Sequence, residues 1–339
     1  MAVLQTLGSI LTFWTESPLN IIVVTDRASV GSVATFMGRM LMKETAQRVI
    51  LHRGFKWRRV QDLPKVKVNY VDYKEILEKN KPFSKRLIAV QAQSKDNKTV
   101  EEDKYLAELF YIAPIYHLGF SALDKLLVID GTDLEFHDDI KLLYDQFKHV
   151  TNGKLIGLGL DLSPNYYNQL NNYRTINPTD PAGMPGETQG FNTGVVLYNL
   201  EAMRRSALYN RYISPAMVDM MIRKFQYDFT LAEQDWFTSL SFLHPDLFYV
   251  LPCKFNRQTS IQYLQPPWEQ MFESFHECDP KLDVMVYHSN GCGPQPQACG
   301  VIPGSVNYTG TYWINRTRYW KDIHMDFDYF WQALAGLDY

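Results

Sequence analysis

The sequence predicts an α/β fold with a Rossmann-like, mostly parallel central sheet flanked by helices. Short apolar runs alternate with amphipathic stretches that have helical spacing, which is the pattern of a doubly wound sheet. The runs predicted as strands are Asn20–Asp26, Val66–Val71, Lys125–Ile129 and Leu155–Leu160. Three of them end at an aspartate (Asp26, Asp130 or Asp161), and open α/β sheets bind their ligands outside the carboxyl ends of the strands.

Length and composition fit one large domain. The chain has 339 residues, and a hydrophobic fraction of 46% is enough for a full core. The net charge is −3 and no basic block is present, which argues against nucleic acid as the main partner. No stretch reaches the length of a membrane span. We expect one domain at residues 1–300 and an aromatic extension at residues 301–339.

The predicted helices follow the strands in order and carry apolar residues on one face. They are residues 1–14, Val30–Lys43, Lys104–Leu118, 140–150, Pro215–Phe225 and Glu233–Leu243. Two further strands are expected, one within Phe191–Leu200 after a polar turn and one at Val284–Tyr287. The segment Pro164–Gln189 reads as a long loop, and long loops in compact domains are usually functional.

The cysteines indicate the cellular compartment. All four lie late in the chain, at Cys253, Cys278, Cys292 and Cys299. An even number favours two disulfide bonds in a secretory compartment, with three possible pairings, and four buried free thiols in a cytosolic enzyme are the alternative. Three Asn-x-Thr sequons, at Asn97, Asn307 and Asn315, favour the secretory interpretation.

Three candidate metal ligands lie at strand ends. Asp130 and Asp133 follow one strand, and His288 follows another. Two carboxylates and an imidazole suit a hard cation such as Mn²⁺, to which a diphosphate can bind. The alternative is that the aspartates begin a turn and cap a helix, and that His288 is a hydrogen-bonded structural histidine. The glycine that follows, Gly291, would let backbone N–H groups approach an anion.

Four other polar residues are candidates for contacts to a nucleotide or a sugar. Asn192 stands at the head of a strand, and amide side chains suit sugar hydroxyls, although an Asx turn explains it equally well. Gln234 and Asp235 open a helix, where acidic charge is favoured in any case. Asp26 could contact a nucleotide or cap the next helix. No other catalytic motif competes with this set.

Four blocks together resemble a known family. They are LLVIDGTDLEF, FNTGVVLYNLEAM, LAEQDWFTSLSFLHPDLFYVLPCKFNRQ and VMVYHSNGCG, within a resemblance that spans roughly residues 1–297. The sequence resembles the retaining glycosyltransferases of family 8, which have the GT-A fold, and among them the xyloside α-1,3-xylosyltransferases. The resemblance implies a strand before Met1 and a type II membrane anchor that this chain does not contain.

The resemblance also implies roles for the site residues. Asp130, Asp133 and His288 correspond to the metal ligands, with one residue more between the aspartates than in the family's D-x-D. Gly291 corresponds to the glycine of the HxxG motif, although the lysine usual after that motif is absent. Asn192 and Gly194 correspond to a segment that lines the sugar sites. Gln234 and Asp235 correspond to the pair beside the donor sugar and the reaction centre.

The implied function is a Mn²⁺-dependent transfer of xylose from UDP-xylose in the ER or Golgi lumen. The implied acceptor is the xylosyl-glucose that is O-linked to EGF-like repeats of proteins such as Notch. Retention would occur by front-side attack, which needs no protein nucleophile. The alternatives are another family 8 transferase, such as a glucoside xylosyltransferase, and a non-catalytic relative that binds sugar or glycoprotein. The longer aspartate spacing favours the non-catalytic alternative.

Overall fold

The computed structural model describes the greater part of the chain. The described residues are 2–15, 17–35, 37–38, 49–51, 56–58, 66–94, 108–131, 133–186, 188–258, 274–275, 278, 283–288 and 290. Several predictions lie outside them: the extension 301–339, Gly291, two of the four cysteines and the three sequon asparagines. No helix within the described ranges is both long enough and apolar enough to cross a bilayer.

Strands and helices alternate as predicted through the first half of the chain. The strands are β1 (Leu19–Thr25), β2 (Val49–Leu51), β3 (Lys56–Arg58), β4 (Val66–Asp72), β5 (Lys125–Ile129), β6 (Leu134–Phe136), β7 (Ile156–Leu160), β8 (Phe191–Asn199), β9 (Phe248–Val250), β10 (Arg257–Gln258) and β11 (Val286–His288). The helices are α1 (Ala2–Phe13), α2 (Tyr73–Leu77), α3 (Lys81–Ser94), α4 (Tyr116–Gly119), α5 (Ile140–Tyr144), α6 (Asn165–Gln169), α7 (Asn171–Ile176), α8 (Leu200–Arg205), α9 (Ala207–Tyr212), α10 (Pro215–Phe225) and α11 (Glu233–Leu243).

Short 3₁₀ helices complete the description. They are Glu108–Ile115, Asp145–His149, Glu78–Asn80, Pro245–Leu247 and Cys253–Phe255. The first replaces most of the α-helix predicted over Lys104–Leu118. Pro114 lies inside it, and a proline cannot donate the backbone hydrogen bond that an α-helix needs there.

The central four-stranded sheet has the strand order β5, β8, β7, β9. β7 and β9 are parallel, and β8 is antiparallel to both β5 and β7, so that β5, β7 and β9 run in one direction. β1 and β4 form a separate parallel pair. The predicted α/β class is confirmed, and β8 is the strand that departs from the parallel arrangement.

The reversal of β8 follows from the path of the chain. Residues 161–190 run from the end of β7 and return at the same edge of the sheet, where Leu160 pairs with Phe191. The predicted polar turn Phe191–Thr193 is therefore the first part of the strand, and a register shift follows: Leu158 pairs with Val196, whereas Gly159 pairs with Asn192. Because β8 starts where β5 and β7 end, its first residues reach the carboxyl edge of those strands.

A small three-stranded sheet, β10-β11-β6, adjoins that edge. β6 and β11 are antiparallel, and His288 pairs with Leu134, the residue after Asp133. Helix α1 supports β6 from behind, because Thr6 Oγ1 donates a hydrogen bond to the Leu134 carbonyl at 2.8 Å and Ser9 Oγ accepts one from the Phe136 amide at 2.9 Å. The sequence between β5 and β6 is thus held at both ends.

The main core lies between the four-stranded sheet and helices α10 and α11. Trp236, Phe237 and Leu240 of α11 are fully buried, as are Val218 and Met221 of α10. Full burial of each such side chain contributes roughly 1.5–3 kcal/mol. This packing fixes the position of α11, whose first turn carries the candidate residues Gln234 and Asp235.

One disulfide bond is present in the described part of the chain. It joins Cys253 and Cys278, whose Cα atoms are 5.9 Å apart. The prediction of disulfide bonding is confirmed for this pair. Cys253 begins the short 3₁₀ helix that leads to Asn256, so the bond anchors the segment next to β10.

Candidate active site

The three predicted metal ligands converge. One ligand atom from each of Asp130, Asp133 and His288 lies within 4.8 Å of the other two. Nε2 of His288 is 3.4 Å from Oδ2 of Asp133. Asp130 is exposed, Asp133 is half-buried and His288 is buried, so the group reaches from the interior to the surface. Two carboxylates and an imidazole are a donor set that fits a hard divalent cation.

The additional residue between the aspartates does not separate them. Asp130 directly follows β5, and its backbone N–H donates to the Gly194 carbonyl at 2.8 Å. Asp133 directly precedes β6, which is a strand of the other sheet. The chain therefore passes from one sheet to the other between the two carboxylates, and the pairing of each sheet brings its own aspartate to the shared edge.

Carboxylates dominate the electrostatic environment of His288. Burial alone would lower its pKa, but the hydrogen bond with Asp133 and the charges of Asp133, Asp130 and Asp161 raise it above the usual value for histidine. A cation has to compete with a proton for Nε2, because only a deprotonated imidazole nitrogen can bind metal. Metal binding at this group is therefore expected to weaken at acidic pH.

Asn192 lies behind His288. Its Oδ1 accepts hydrogen bonds from the Gly194 backbone at 3.0 Å and from Nδ2 of Asn256 at 2.9 Å. Oδ1 of Asn256 is in turn 3.0 Å from Nδ1 of His288. The Asx turn that the sequence allowed is therefore present. Asn192, which was predicted to contact a sugar, is linked to His288 by hydrogen bonds through the side chain of Asn256.

Gly194 is required for the position of the histidine ring. A Cβ atom at this residue would lie 2.2 Å from Cε1 and 2.6 Å from Nδ1 of His288. Any other residue would displace either β8 or the ring. Gly194 therefore acts in the site by making room for the imidazole.

Gln234 is held by hydrogen bonds at both ends of its amide. Its Oε1 accepts from the Thr193 backbone at 3.2 Å, and its Nε2 donates to the Tyr166 hydroxyl at 3.2 Å. Tyr166 itself donates to Oδ1 of Asp235 at 2.8 Å. The first turn of α11 is thus hydrogen-bonded to the start of β8.

Asp235, which was predicted to lie beside the reaction centre, is enclosed by protein groups. Its side chain is 0% exposed, and its Oδ2 accepts from the backbone N–H groups of Thr230 and Leu231 at 2.5 and 2.6 Å. These bonds close the loop that enters α11. A carboxylate enclosed in this way supports the start of the helix, and its place beside the reaction centre stays a prediction.

Glu233 was missed by the sequence reasoning. Its Oε1 accepts from Thr193 Oγ1 at 3.2 Å, and its Oε2 is buried without a hydrogen-bond partner among the described residues. Burial raises the pKa of Glu233 to about 8, and the charges of Asp130 and Asp235 add to the rise. The only sequence signal was its position next to Gln234, where acidic residues at a helix start are common.

Asp161 is a second buried acid at the carboxyl edge. Burial raises its pKa to about 7, with a further contribution from the charge of Asp235, and a hydrogen bond from Ser163 Oγ at 2.8 Å opposes the rise. It ends β7 as Asp130 ends β5. Two carboxyl groups close to Asp130, Asp133 and His288, those of Asp161 and Glu233, therefore have pKa values raised toward or above neutral pH.

Asp26 closes a turn. Its two carboxylate oxygens accept from the backbone N–H of Ser29 at 2.9 Å and from its hydroxyl at 2.5 Å. The hydroxyl and backbone bonds of Ser29 lower the pKa of Asp26. These contacts match the capping alternative and leave the predicted nucleotide contact as a prediction.

Comparison with known proteins identifies the family. The family model for glycosyl transferase family 8 matches residues 28–276. The chain belongs to glycosyl transferase family 8. This membership confirms the resemblance predicted from the sequence and identifies a glycosyltransferase.

Individual relatives are named for xylosyl transfer. Human xyloside xylosyltransferase 1 is 33% identical over 195 residues, which are 57% of this chain and 49% of that protein. Zebrafish xylosyl- and glucuronyltransferase LARGE2s is 34% identical over 140 residues, which are 41% of this chain and 17% of that protein. The chain thus matches about half or less of the length of these relatives.

The solved structure of a relative has the same fold. The crystal structure of mouse xyloside xylosyltransferase 1 in its apo form superimposes with a TM-score of 0.68 and 26% sequence identity. The match covers 87% of this chain and 93% of that one. The GT-A fold class predicted from the sequence is confirmed by this likeness. Within this family, the acidic group at the sheet edge indicates a divalent metal.

Proposed function

We propose that this chain transfers xylose from UDP-xylose to a xyloside acceptor, with retention of configuration and with Mn²⁺ as cofactor. The observation that carries the proposal is the convergence of Asp130, Asp133 and His288 within 4.8 Å at the carboxyl edge of the sheets. Nucleotide ligands of such folds bind at that edge. The names of the relatives support xylose as the transferred sugar.

The candidate metal site of Asp130, Asp133 and His288 would provide the electrostatic part of the mechanism. When bound, Mn²⁺ would neutralise the negative charge that develops on the leaving diphosphate. Asp130 and Asp133 would hold it through oxygen atoms and His288 through Nε2. Asp133 is half-buried and Asp130 is exposed, so both carboxylates would be accessible to a cation that arrives from solvent.

The residues around Gln234 fit a reaction without a protein nucleophile. Asp235 is enclosed and engaged in hydrogen bonds, which argues against a role as nucleophile. Burial raises the pKa of Glu233 to about 8, which favours the protonated form over the carboxylate that a nucleophile needs. Front-side attack by the acceptor hydroxyl, with the Gln234 amide orienting the sugars, is the mechanism that this arrangement favours.

The proposed acceptor is the O-linked xylosyl-glucose of EGF-like repeats in the ER or Golgi lumen. The name of the human and mouse relatives supports a xyloside as the acceptor. The bond between Cys253 and Cys278 supports an oxidising compartment, since disulfides are rare in the cytosol. The EGF-like carrier comes from the sequence resemblance.

The test is a UDP-release assay with UDP-xylose and an EGF-like repeat that carries xylosyl-glucose. We expect release that requires Mn²⁺ and is lost in Asp133→Ala, whereas Asp246→Asn, a change at an exposed acid, leaves it intact. Undiminished release in EDTA would contradict the proposed metal dependence. Absence of release with every acceptor, together with absence of UDP binding, would favour the non-catalytic alternative.

A second donor is favoured by one observation. The zebrafish relative is named for both xylosyl and glucuronyl transfer. The same assay should therefore include UDP-glucuronic acid and UDP-glucose, and a glucosylated EGF-like repeat as a second acceptor. Faster release with another donor, or with the repeat that lacks xylose, would identify a different family 8 specificity on the same metal group.

A further inference from the structure

Three amide groups form a buried chain behind His288. The chain starts at the backbone N–H of Gly194, passes through the side chains of Asn192 and Asn256, and ends at Nδ1 of His288. Its three distances are 3.0, 2.9 and 3.0 Å. Asn256 is 1% exposed and Asn192 is 6% exposed, so bulk water does not compete for these bonds.

The direction of every bond follows from the first one. A backbone N–H can only donate, so the side-chain atom of Asn192 that meets Gly194 has to be the oxygen. The same oxygen meets the amide of Asn256, which has to present its NH₂ group. The oxygen of Asn256 then remains for His288. The orientation of both side-chain amides is thus set by one backbone donor.

The last bond selects the tautomer of the histidine. An amide oxygen accepts and cannot donate, so Nδ1 of His288 has to carry a hydrogen. In the neutral ring Nε2 is then the atom with the free electron pair. Nε2 is the nitrogen that faces Asp133, at 3.4 Å from its Oδ2, and therefore the one available to a cation.

Local packing keeps Asn256 in position. A Cβ at Gly159 would lie 3.2 Å from both Cβ and Nδ2 of Asn256, so the absence of a side chain in β7 makes room for this amide. The Asn256 backbone N–H donates to the Cys253 carbonyl at 3.0 Å. Cys253 is itself fixed by its bond to Cys278. The amide therefore sits on a rigid support.

We propose that Asn256 is a positioning residue of the metal site and that Asn192 acts through it. The proposal rests on the proposed metal dependence and assigns a role to residues that do not contact the cation. Groups that orient a metal-binding histidine through its other nitrogen typically contribute about 10–100-fold to metal affinity or activity.

Calorimetric titration of the purified chain with MnCl₂ tests the proposal, with EPR of free Mn²⁺ as a second readout. We expect Asn256→Ala to bind Mn²⁺ about 10–100-fold more weakly than the wild type. The matched control is Asn210→Ala. Oδ1 of Asn210 is 3.1 Å from Nε2 of the buried His117, so this variant loses an asparagine–histidine contact elsewhere in the fold and should keep full Mn²⁺ affinity.

Conservative variants separate orientation from mere folding. Asn256→Asp keeps an acceptor for Nδ1 of His288 but loses the donor to Asn192, so it should bind Mn²⁺ more weakly than the wild type and better than Asn256→Ala. Asn192→Asp keeps the acceptor for Gly194 and Asn256 and should retain the affinity, whereas Asn192→Leu removes it and should weaken binding. If Asn192 served only to contact a sugar, both changes would leave binding of Mn²⁺ alone unaltered.

The outcomes distinguish the two proposals. If the wild type binds Mn²⁺ and Asn256→Ala binds it equally well, the positioning role is wrong and the metal-dependent function stands. If the wild type binds no Mn²⁺ even with UDP present, the proposed function itself fails. Should Asn256→Ala not fold, the contrast between Asn192→Asp and Asn192→Leu decides the question.

Discussion

His288 and His117 are two buried histidines with opposite electrostatic settings. Both have little exposed surface, 3% and 0%, and both meet an asparagine oxygen through one ring nitrogen. Burial lowers the pKa of His117 to about 4, and the charge of Arg204 acts in the same direction. For His288 the surrounding carboxylates outweigh burial and raise the pKa. Burial alone therefore does not distinguish a structural histidine from a candidate metal ligand, whereas the neighbouring carboxylates do.

Replacing each histidine by glutamine should produce different defects, in metal-dependent activity for His288 and in stability for His117. His288→Gln removes the imidazole ligand, and we expect loss of Mn²⁺-dependent UDP release by at least about 100-fold, the upper end of what supporting residues cause. His117→Gln should lower the free energy of unfolding and leave Mn²⁺ affinity unchanged. Calorimetry and urea unfolding of both variants measure the two effects. Equal metal affinity in the wild type and His288→Gln would contradict the assignment of His288 as a metal ligand.

The stability contributed by neutral His117 should be lost in acid. Its pKa is about 4 when folded and near 6.5 when unfolded, so the contribution is present above pH 6.5 and is lost as the pH falls toward 4. The difference corresponds to about 3 kcal/mol at the limit. Urea unfolding in EDTA from pH 7 to pH 4 should show a steeper decline for the wild type than for His117→Gln. Parallel pH profiles would contradict the assignment of His117 as a buried neutral ring.

Glu233 should have the reverse pH dependence. Its folded pKa of about 8 lies above the unfolded value of 4.5, so its contribution is full below pH 4.5 and is lost as the pH rises toward 8. We expect Glu233→Gln to be roughly 1–3 kcal/mol more stable than the wild type at pH 8, and close to it at pH 5, in EDTA. The partly exposed Glu201, replaced by glutamine, is the control and should show no such gain. A gain of equal size at both pH values would mean that the charge is not responsible.

The smallest effect is expected for Tyr166→Phe, which tests whether the anchoring of the Gln234 amide matters for catalysis. Tyr166→Phe removes the hydroxyl that accepts from Gln234 and donates to Asp235, so the Gln234 amide loses one of its two anchors. We expect kcat to fall about tenfold with little change in KM for UDP-xylose, and a loss of stability of about 1 kcal/mol. Tyr227→Phe is the matched control, because Tyr227 donates to the Asp235 carbonyl and contacts Ser239 but not Gln234. A similar loss of kcat in both variants would point to general loosening of the helix.

The sequence was sufficient to predict part of the convergence of Asp130, Asp133 and His288. Asp130 and His288 each follow a short apolar run, which predicts that each lies at the end of a strand. β5 and β11 belong to different sheets, so the meeting of these two residues depends on how the sheets adjoin. The convergence of Asp133 despite its longer spacing could not be predicted, because it depends on the passage of the chain from β5 to β6, strands of different sheets.

Other features depend on contacts that leave no local pattern. The antiparallel direction of β8 could not be predicted from its sequence, because an apolar run has the same composition whichever way the strand runs. Gln234 and Asp235 are adjacent polar residues, and only the position of the Thr230–Leu231 backbone decides which one is enclosed. Asn256 is 32 residues from His288 in the chain and becomes its neighbour through the pairing of β10 with β11. No motif marks such a residue.

The central claim is that Asp130, Asp133 and His288 hold the divalent cation through which a nucleotide sugar binds. Calorimetric titration of the wild-type chain with UDP, in MnCl₂ and in EDTA, tests it most directly. We predict binding in MnCl₂ that is lost in EDTA and in Asp133→Ala. Equal binding of UDP with and without the cation, or in the wild type and Asp133→Ala, would contradict the claim.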